Sequence, residues 1–513
     1  MKKIKFLVLL FSFAFFSCEE ATDVLQDGEI SDAVTFTNTD NMKLYLSETY
    51  DKLMTSGTLN EIALSAIVTD EVGVGRNGNA FDTYRNNITL TNGYSSQIWL
   101  DYYTTINYCN RLLRGSLLVT PTSAADQVIF NDIIAQTRAI RAYSYTQLLT
   151  YFSTDMKNDN ALGVILLDRV STTLEKLPRN INSECYALIE SDLAYADANI
   201  QPVPVATVKS WAYVSKSMVN ALRARLYAYR GNYALAETYA TAAISNSGLS
   251  LTDGTVYTTP AAFFLATGSN NDYKRMFQDS PVNGRGEVIW CLGRAINKQA
   301  IVSSFFVNAS SLSGISTFDM NRNLFNILDN GGAPWDIRRR VNIDPTAVID
   351  LSYLTSTNYQ STDALVLDKY SGISTSNLIN DIKVFRISEM LLIKAEGRAN
   401  AMDYSGVATI LKQIRDKRST TGARPLPVYA NATEAWADIL LERRLELCFE
   451  GHRYIDLKRL GVLANKTVDR HPLDNSTYNI TGNITSVTDF RFTLPIPSNE
   501  IAGNPTIQQN PGY

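Results

Sequence analysis

Histidine is almost missing: His452 and His471 are the two in 513 residues, so polyhistidine metal centres and a histidine-based nucleophile relay have little raw material. No metal, cofactor or catalytic residue is assigned. Neither sign of charge dominates. The 47 Lys and Arg face 51 Asp and Glu, a formal −4, and without Lys2, Lys3 and Lys5 the balance is 44 − 51 = −7. A nucleic-acid partner is therefore not expected. Five cysteines are present, and Cys109, Cys185, Cys291 and Cys448 show no metal-ligand or redox spacing; each sits among apolar residues and reads as a single buried thiol. With 45% apolar and 19% charged residues, the chain is a folded protein rather than a disordered tail or a multispanning membrane protein.

The one sustained apolar run is short. Phe6 to Ser17 follows Lys2, Lys3 and Lys5, the charged and hydrophobic parts of a secretory signal. As a helix it would rise about 18 Å, less than the roughly 30 Å of a bilayer core, so it targets without spanning. Ser17 followed by Cys18 resembles a bacterial lipobox, which implies removal of residues 1–17 and acylation of Cys18. Residues 18–40 then form the lipidated N-terminus and tether. Glu19, Glu20, Asp23 and Asp27 give that stretch an acidic patch, which resembles a surface-export signal of such lipoproteins.

Helical periodicity governs much of the remaining chain. Val219, Leu222, Leu226 and Tyr229 step by three and four, then Gly231-Asn232 breaks the run, and Tyr233, Ala236, Ala240 and Ala243 resume it. The spacing predicts an antiparallel helical hairpin. It resembles a tetratricopeptide repeat: Tyr233, Ala236 and Ala243 follow Ala224 by 9, 12 and 19 residues, and Tyr404, Val407 and Ile414 follow Ala395 by the same offsets. Met402 stands where the first copy has its turn glycine. Further helices are predicted over Asn41 to Met54, Ser96 to Leu117, Asp126 to Tyr151, Ser183 to Ile200 and Glu434 to Glu450. The fold class is all-α, stacked helical hairpins with a long irregular insert rich in Ser, Thr, Asn, Gly and aromatics.

Seven segments in order carry a family resemblance: Arg138 to Phe152, the hairpin from Ser217 to Ile244, Glu287 to Trp290, Trp335 to Arg340, Phe385 to Asn400, Glu442 to Gly461, and the terminal LPIPSNEIAGNPTIQQNPGY. Together with the leader they resemble the SusD/RagB outer-membrane lipoproteins, which bind nutrients beside TonB-dependent transporters. The resemblance implies a helical repeat region over 41–250, a loop-rich ligand-binding insert over 251–381, and a C-terminal helical region with a terminal cover over 382–513. It also implies a SusC-like transporter as partner, an oligosaccharide as ligand, and lipid anchorage at the cell surface. An oligopeptide ligand is the nearest alternative, and a surface glycoside hydrolase with two facing carboxylates is a more distant one.

Alternating charges in Glu442, Arg443, Arg444, Glu446, Glu450, Arg453 and Asp456 suit interhelical Arg to carboxylate bonds rather than acid/base chemistry around His452. Binding is expected in loops, where flat aromatics stack on sugar faces and planar polar groups meet hydroxyls. The candidate ligand residues are Arg76, Asn79, Phe81 and Tyr84 on the Gly-rich stretch Asp70 to Asn86, and Tyr273, Phe305, Asn308 and Phe318 in the insert.

Overall fold

The computed structural model describes residues 32–513 except 55–57, 77, 79–81, 173–174, 205–208, 255–270, 280–283, 294–315, 333–334, 346, 371, 374–375, 378–379, 477–483 and 485. Its longer helices are α1 (Thr39–Met54), α2 (Thr58–Val68), α3 (Gly93–Ser116), α4 (Ala124–Phe152), α5 (Asn182–Asn199), α6 (Lys216–Tyr229), α7 (Tyr233–Ser247), α8 (Arg322–Asp329), α9 (Ile387–Asn400), α10 (Tyr404–Arg418), α11 (Ala432–Glu446) and α12 (Arg453–Ala464). Local chemistry starts several of them. The side chains of Ser123, Ser215, Asn232, Asp403 and Asn431 each accept a first-turn N–H, satisfying donors that have no partner inside a helix. The expected all-helical architecture is what is seen. Strand is confined, among the described residues, to short two-stranded ladders: β1 (Val72–Val74) with β3 (Phe318–Met320), β2 (Val288–Leu292) with β4 (Ile382–Arg386), and a two-residue pair at 372–377.

Consecutive helices pack as antiparallel hairpins, α3 on α4, α4 on α5, α6 on α7, α9 on α10 and α11 on α12, and α9 also seats against α7, which stacks the two repeats predicted from sequence. Ala224, Ala236, Ala243, Ala395, Val407 and Ile414 are fully buried at the matched positions. Gly397 permits the close approach, since a Cβ there would lie 2.5 Å from Glu237 Oε2. One apolar cluster runs from Phe36 to Ile507 through every hairpin.

The two repeat turns differ in one residue that matters. Gly231 has φ +75°, and Met402, its counterpart, is held at φ +58° although it carries a side chain. In both turns the next residue donates back five positions, Asn232 N to Tyr227 O at 2.9 Å and Asp403 N to Arg398 O at 2.8 Å. The left-handed conformation costs a non-glycine residue about 1 kcal/mol, and the Met402 side chain is 74% exposed, so it recovers little by packing. Met402→Gly is expected to raise the unfolding free energy by about 1 kcal/mol, and Gly231→Ala to lower it by about as much, both read from urea denaturation midpoints.

One predicted boundary shifts. The helix expected to reach Glu450 ends at Glu446, because Phe449 (φ +62°) and Gly451 (φ +87°) turn the chain and present Glu450 to Lys369 and Arg386. The terminal segment lies against the end of α4. Leu494 N donates to Tyr151 O at 2.8 Å and Asn510 Nδ2 to Phe152 O at 3.0 Å, while a short helix, Ser498–Gly503, follows Pro497 within it.

The charged motif is a buried lattice. Arg338 donates to Glu442 (2.7 Å) and Glu446 (3.0 Å), Arg418 to Glu446 and Glu287 (both 2.9 Å), and Arg386 to Glu287 (2.6 Å), Glu446 (3.0 Å) and Glu450 (2.7 Å). Segments far apart in sequence are thereby fastened to α11. A second set joins Arg443 to Asp456 and Arg459 to Glu396. His452 is buried beside it, and burial pushes its imidazole well below the usual range. Cys109, Cys185, Cys291 and Cys448 are buried free thiols.

Candidate functional site

The Gly-rich stretch and the central insert, separate in sequence, meet in the β1–β3 ladder, where Val72 faces Met320, Gly73 faces Asp319 and Val74 faces Phe318. Glycine at 73 is required by its neighbour, as a Cβ there would lie 2.9 Å from Asp474 Oδ1. A third segment closes over the ladder: Arg76 donates to the Ser361 carbonyl (Nε, 3.0 Å), and Gln360 donates to the Gly75 carbonyl. Arg470 anchors the rear by donating to Ile67 O, Thr69 O and Tyr84 O, each at 2.9 Å, which satisfies carbonyls left open at the end of α2.

On this frame sits an aromatic trio. Tyr353 and His471 have centroids 5.5 Å apart, Tyr359 and His471 are stacked at 6.3 Å, and Tyr353 and Tyr359 lie 6.3 Å apart. Arg322 holds the arrangement, its guanidinium 3.8 Å from the Tyr353 centroid and bonded to Asp363 at 2.6 Å. Tyr353 and Tyr359 are half-buried, so each keeps open surface. Beside them Leu351 is 88% and Leu354 66% exposed, apolar area left uncovered in a ring-lined loop.

The carboxylates beneath are buried. Burial pushes Asp319 up to about 7, against the hydrogen bond from Ser316, and pushes Asp474 up to about 7, against Arg470 and the Tyr359 hydroxyl. Asp363 is raised for the same reason, and its Oδ2 has no hydrogen-bond partner. At the start of β1 two neighbouring acids part company. Burial opposes ionisation of Asp70, but Arg444 and Arg453 overcome it and hold the carboxyl below the usual range, Arg453 with two bonds of 2.7 Å. Burial pushes Glu71 up to about 8, eased by one bond from Phe449 N, and its Oε2 is unpartnered.

That raised value gives a pH prediction. The folded chain keeps a proton on Glu71 that the unfolded chain releases near pH 4.5, so this group's contribution to stability falls as pH rises from about 4.5 to about 8. Glu71→Gln removes the penalty. Its unfolding free energy is expected to match the parent's near pH 4 and to exceed it increasingly as pH rises to 8, measured by denaturant titration at both values.

Of the residues chosen from sequence, Arg76 lies exposed at this junction. Tyr84 and Phe318 are brought together, centroids 6.3 Å apart, but both are buried, as is Tyr273. The first two rings support the ladder from below, so their faces are out of a ligand's reach in this conformation. Tyr273 belongs to the ion lattice instead, under the Arg418 guanidinium at 4.2 Å. Asn79, Phe81, Phe305 and Asn308 lie outside the described residues, as do Cys18 and the leader. The grouping of Tyr353, Tyr359 and His471 is not foreseen from sequence. The signal available was a pair of tyrosines six apart inside the loop-rich insert; nothing local ties them to His471, more than a hundred residues on. Among the described residues no cluster of His, Cys, Asp or Glu suits a metal ion, and no helix is long and apolar enough to cross a membrane.

Comparisons with known proteins agree with this architecture. Residues 338–513 match the model of the SusD family. Over the full length of both chains the sequence is 24% identical to SusD-like protein P38 of Formosa agariphila. The fold superposes on a SusD superfamily protein of Bacteroides thetaiotaomicron with a TM-score of 0.72 at 21% identity, covering 93% of this chain and 100% of the other. It superposes on a SusD-like carbohydrate-binding protein of Bacteroides vulgatus with a TM-score of 0.64 at 20% identity, covering 85% of each. The repeat pair and the buried Arg–Glu lattice thus stand in a chain that is similar to SusD-like proteins along its length and whose residues 338–513 match the SusD family model.

Proposed function

We propose that the protein is a non-catalytic oligosaccharide-binding lipoprotein of the outer membrane, anchored through Cys18, that captures its ligand at the β1–β3 junction and hands it to a SusC-like TonB-dependent transporter. The carrying observation is the pair of half-buried rings, Tyr353 and Tyr359, held against the buried His471 over a frame of three tied segments. Sugar rings offer apolar C–H faces that stack on such rings and a rim of hydroxyls that needs planar polar partners. Arg76 borders the binding face in this reading and Tyr84 and Phe318 pack beneath it, while Asn79, Phe81, Phe305 and Asn308 stay candidates on sequence grounds. Kinship with a carbohydrate-binding protein of the same fold supports the ligand class. Burial and fixed hydrogen bonds give Asp319, Asp363 and Asp474 a packing role that needs no chemistry.

Calorimetric titration of the protein with a panel of neutral oligosaccharides and peptides, with chromatography of the ligand afterwards, tests this. Saturable binding of a glycan recovered intact is expected. Affinity for peptides alone would reassign the ligand, and release of shortened glycan would overturn the non-catalytic reading.

A further inference from the structure

The first described residues, 32–36, are fixed to the end of α3. Asp32 pairs with Arg114 at 2.5 Å, and Phe36 packs over Gly115, where a Cβ could not fit. The rings of Phe36 and Tyr45 (4.9 Å) and of Tyr45 and Tyr108 (5.7 Å) continue that contact along α1 and α3. Position 18 precedes Asp32 by fourteen residues, so a group on Cys18 lies within about 50 Å of this point, however the intervening chain runs.

The same end of the molecule leaves apolar side chains open. Leu117 and Leu118, two and three residues beyond Gly115 and so within about 5 Å of it along the axis, are 85% and 56% exposed, and Val128 and Ile129 at the start of α4 are 46% and 49% exposed. Val34, beside the chain's point of departure, is 66% exposed. The nearby charges are already engaged. Arg114 is taken by Asp32, and Asp126 accepts from Thr122 N (2.8 Å) and Thr122 Oγ1 (3.2 Å). Asp126 stays ionised and the Arg114–Asp32 pair stays half-exposed, so the tip can seat only shallowly, with these charges left at headgroup level, while its several aliphatic groups are buried.

We infer that the tip of the α3–α4 hairpin is a membrane-contacting surface, with Leu117, Leu118, Val128 and Ile129 seated at the headgroup–acyl boundary of the leaflet that holds Cys18. This rests on the reading of Cys18 as acylated. The tether raises the local concentration of membrane at the tip, and interfacial burial of its side chains fixes which face of the protein looks away from the lipid.

The full acylated chain, reconstituted in phosphatidylethanolamine–phosphatidylglycerol vesicles containing brominated phospholipid, provides the test. Tryptophan introduced as Leu118→Trp should show quenching beyond that of the unsubstituted chain, whereas Val428→Trp, at a 90% exposed position on the α10–α11 connection, should show none. A Leu117→Ser/Leu118→Ser/Val128→Ser/Ile129→Ser variant without the acyl group should lose at least about tenfold in vesicle partitioning relative to the unacylated parent. If the chain floats with vesicles yet Leu118→Trp is quenched no more than the control, the tip inference fails and the anchor stands. If mass spectrometry shows Cys18 unmodified and the chain does not float, the anchor reading fails and takes this inference with it.

Discussion

Glu446→Ala is expected to destabilise the protein by about 3–5 kcal/mol, the largest effect foreseen for any single residue. Glu446 is fully buried and accepts from three guanidinium groups: Arg338 at 3.0 Å, Arg386 at 3.0 Å, and Arg418 at 3.0 and 2.9 Å. Its removal leaves Arg338 with Asp336 and Glu442, Arg386 with Glu287 and Glu450, and Arg418 with Glu287, a buried set now short of one carboxylate in a medium that solvates cations poorly. The penalty comes from the uncompensated charge more than from the lost attraction. Glu446→Gln keeps the shape and one acceptor, so its cost should be smaller and still exceed about 2 kcal/mol. Denaturant unfolding monitored by helical circular dichroism measures both.

The same carboxylate sets an acid limit. Burial opposes its ionisation, but Arg418, Arg386 and Arg338 outweigh burial and hold it well below the usual range, and Glu450 is lowered by Arg386 and Lys369. A depressed folded value contributes stability that is complete above about pH 4.5 and is lost as pH falls through the folded value. Acid unfolding should accordingly set in below about pH 4, and the difference between parent and Glu446→Ala should shrink there.

The second large effect concerns the ligand. Tyr353→Ala and Tyr359→Ala should each weaken oligosaccharide binding by about 1–2 kcal/mol, roughly five- to thirtyfold, with overall helical content nearly unchanged, because both rings lie on single short turns outside the helical stack. Tyr359→Phe keeps the stacking face and removes only the hydroxyl bonded to Asp474, so it should retain most of the affinity. Binding should also weaken as pH rises from about 6 to about 8. Asp319 and Asp474 keep their protons to about 7. Above that value the folded junction must either hold buried charge or loosen, so its stability declines with rising pH. Titrations of the parent and the three variants at both pH values check each point. Unchanged affinity in Tyr353→Ala and Tyr359→Ala would place the ligand elsewhere.

Residue spacing by itself determined the helical hairpins. The three-and-four stepping of Val219, Leu222, Leu226 and Tyr229 and the matched offsets from Ala224 and Ala395 are properties of a single helix face and a single turn, and short-range periodicity is where sequence speaks directly about structure. The charge lattice was legible as chemistry, since alternating Arg and Glu on two short helices can be satisfied in few ways, but its partners were not. Glu287, Arg338, Arg386 and Arg418 reach Glu446 and its neighbours from segments dozens to more than a hundred residues away. Only the tertiary structure decided which rings keep open surface. Tyr84 and Phe318 read as exposed loop aromatics because loops are usually open; a ladder between remote segments turned them inward. The same ladder left Tyr353 and Tyr359 at the surface and brought His471 to them. Ring exposure depends on which distant strands pair, and no local pattern encodes that pairing.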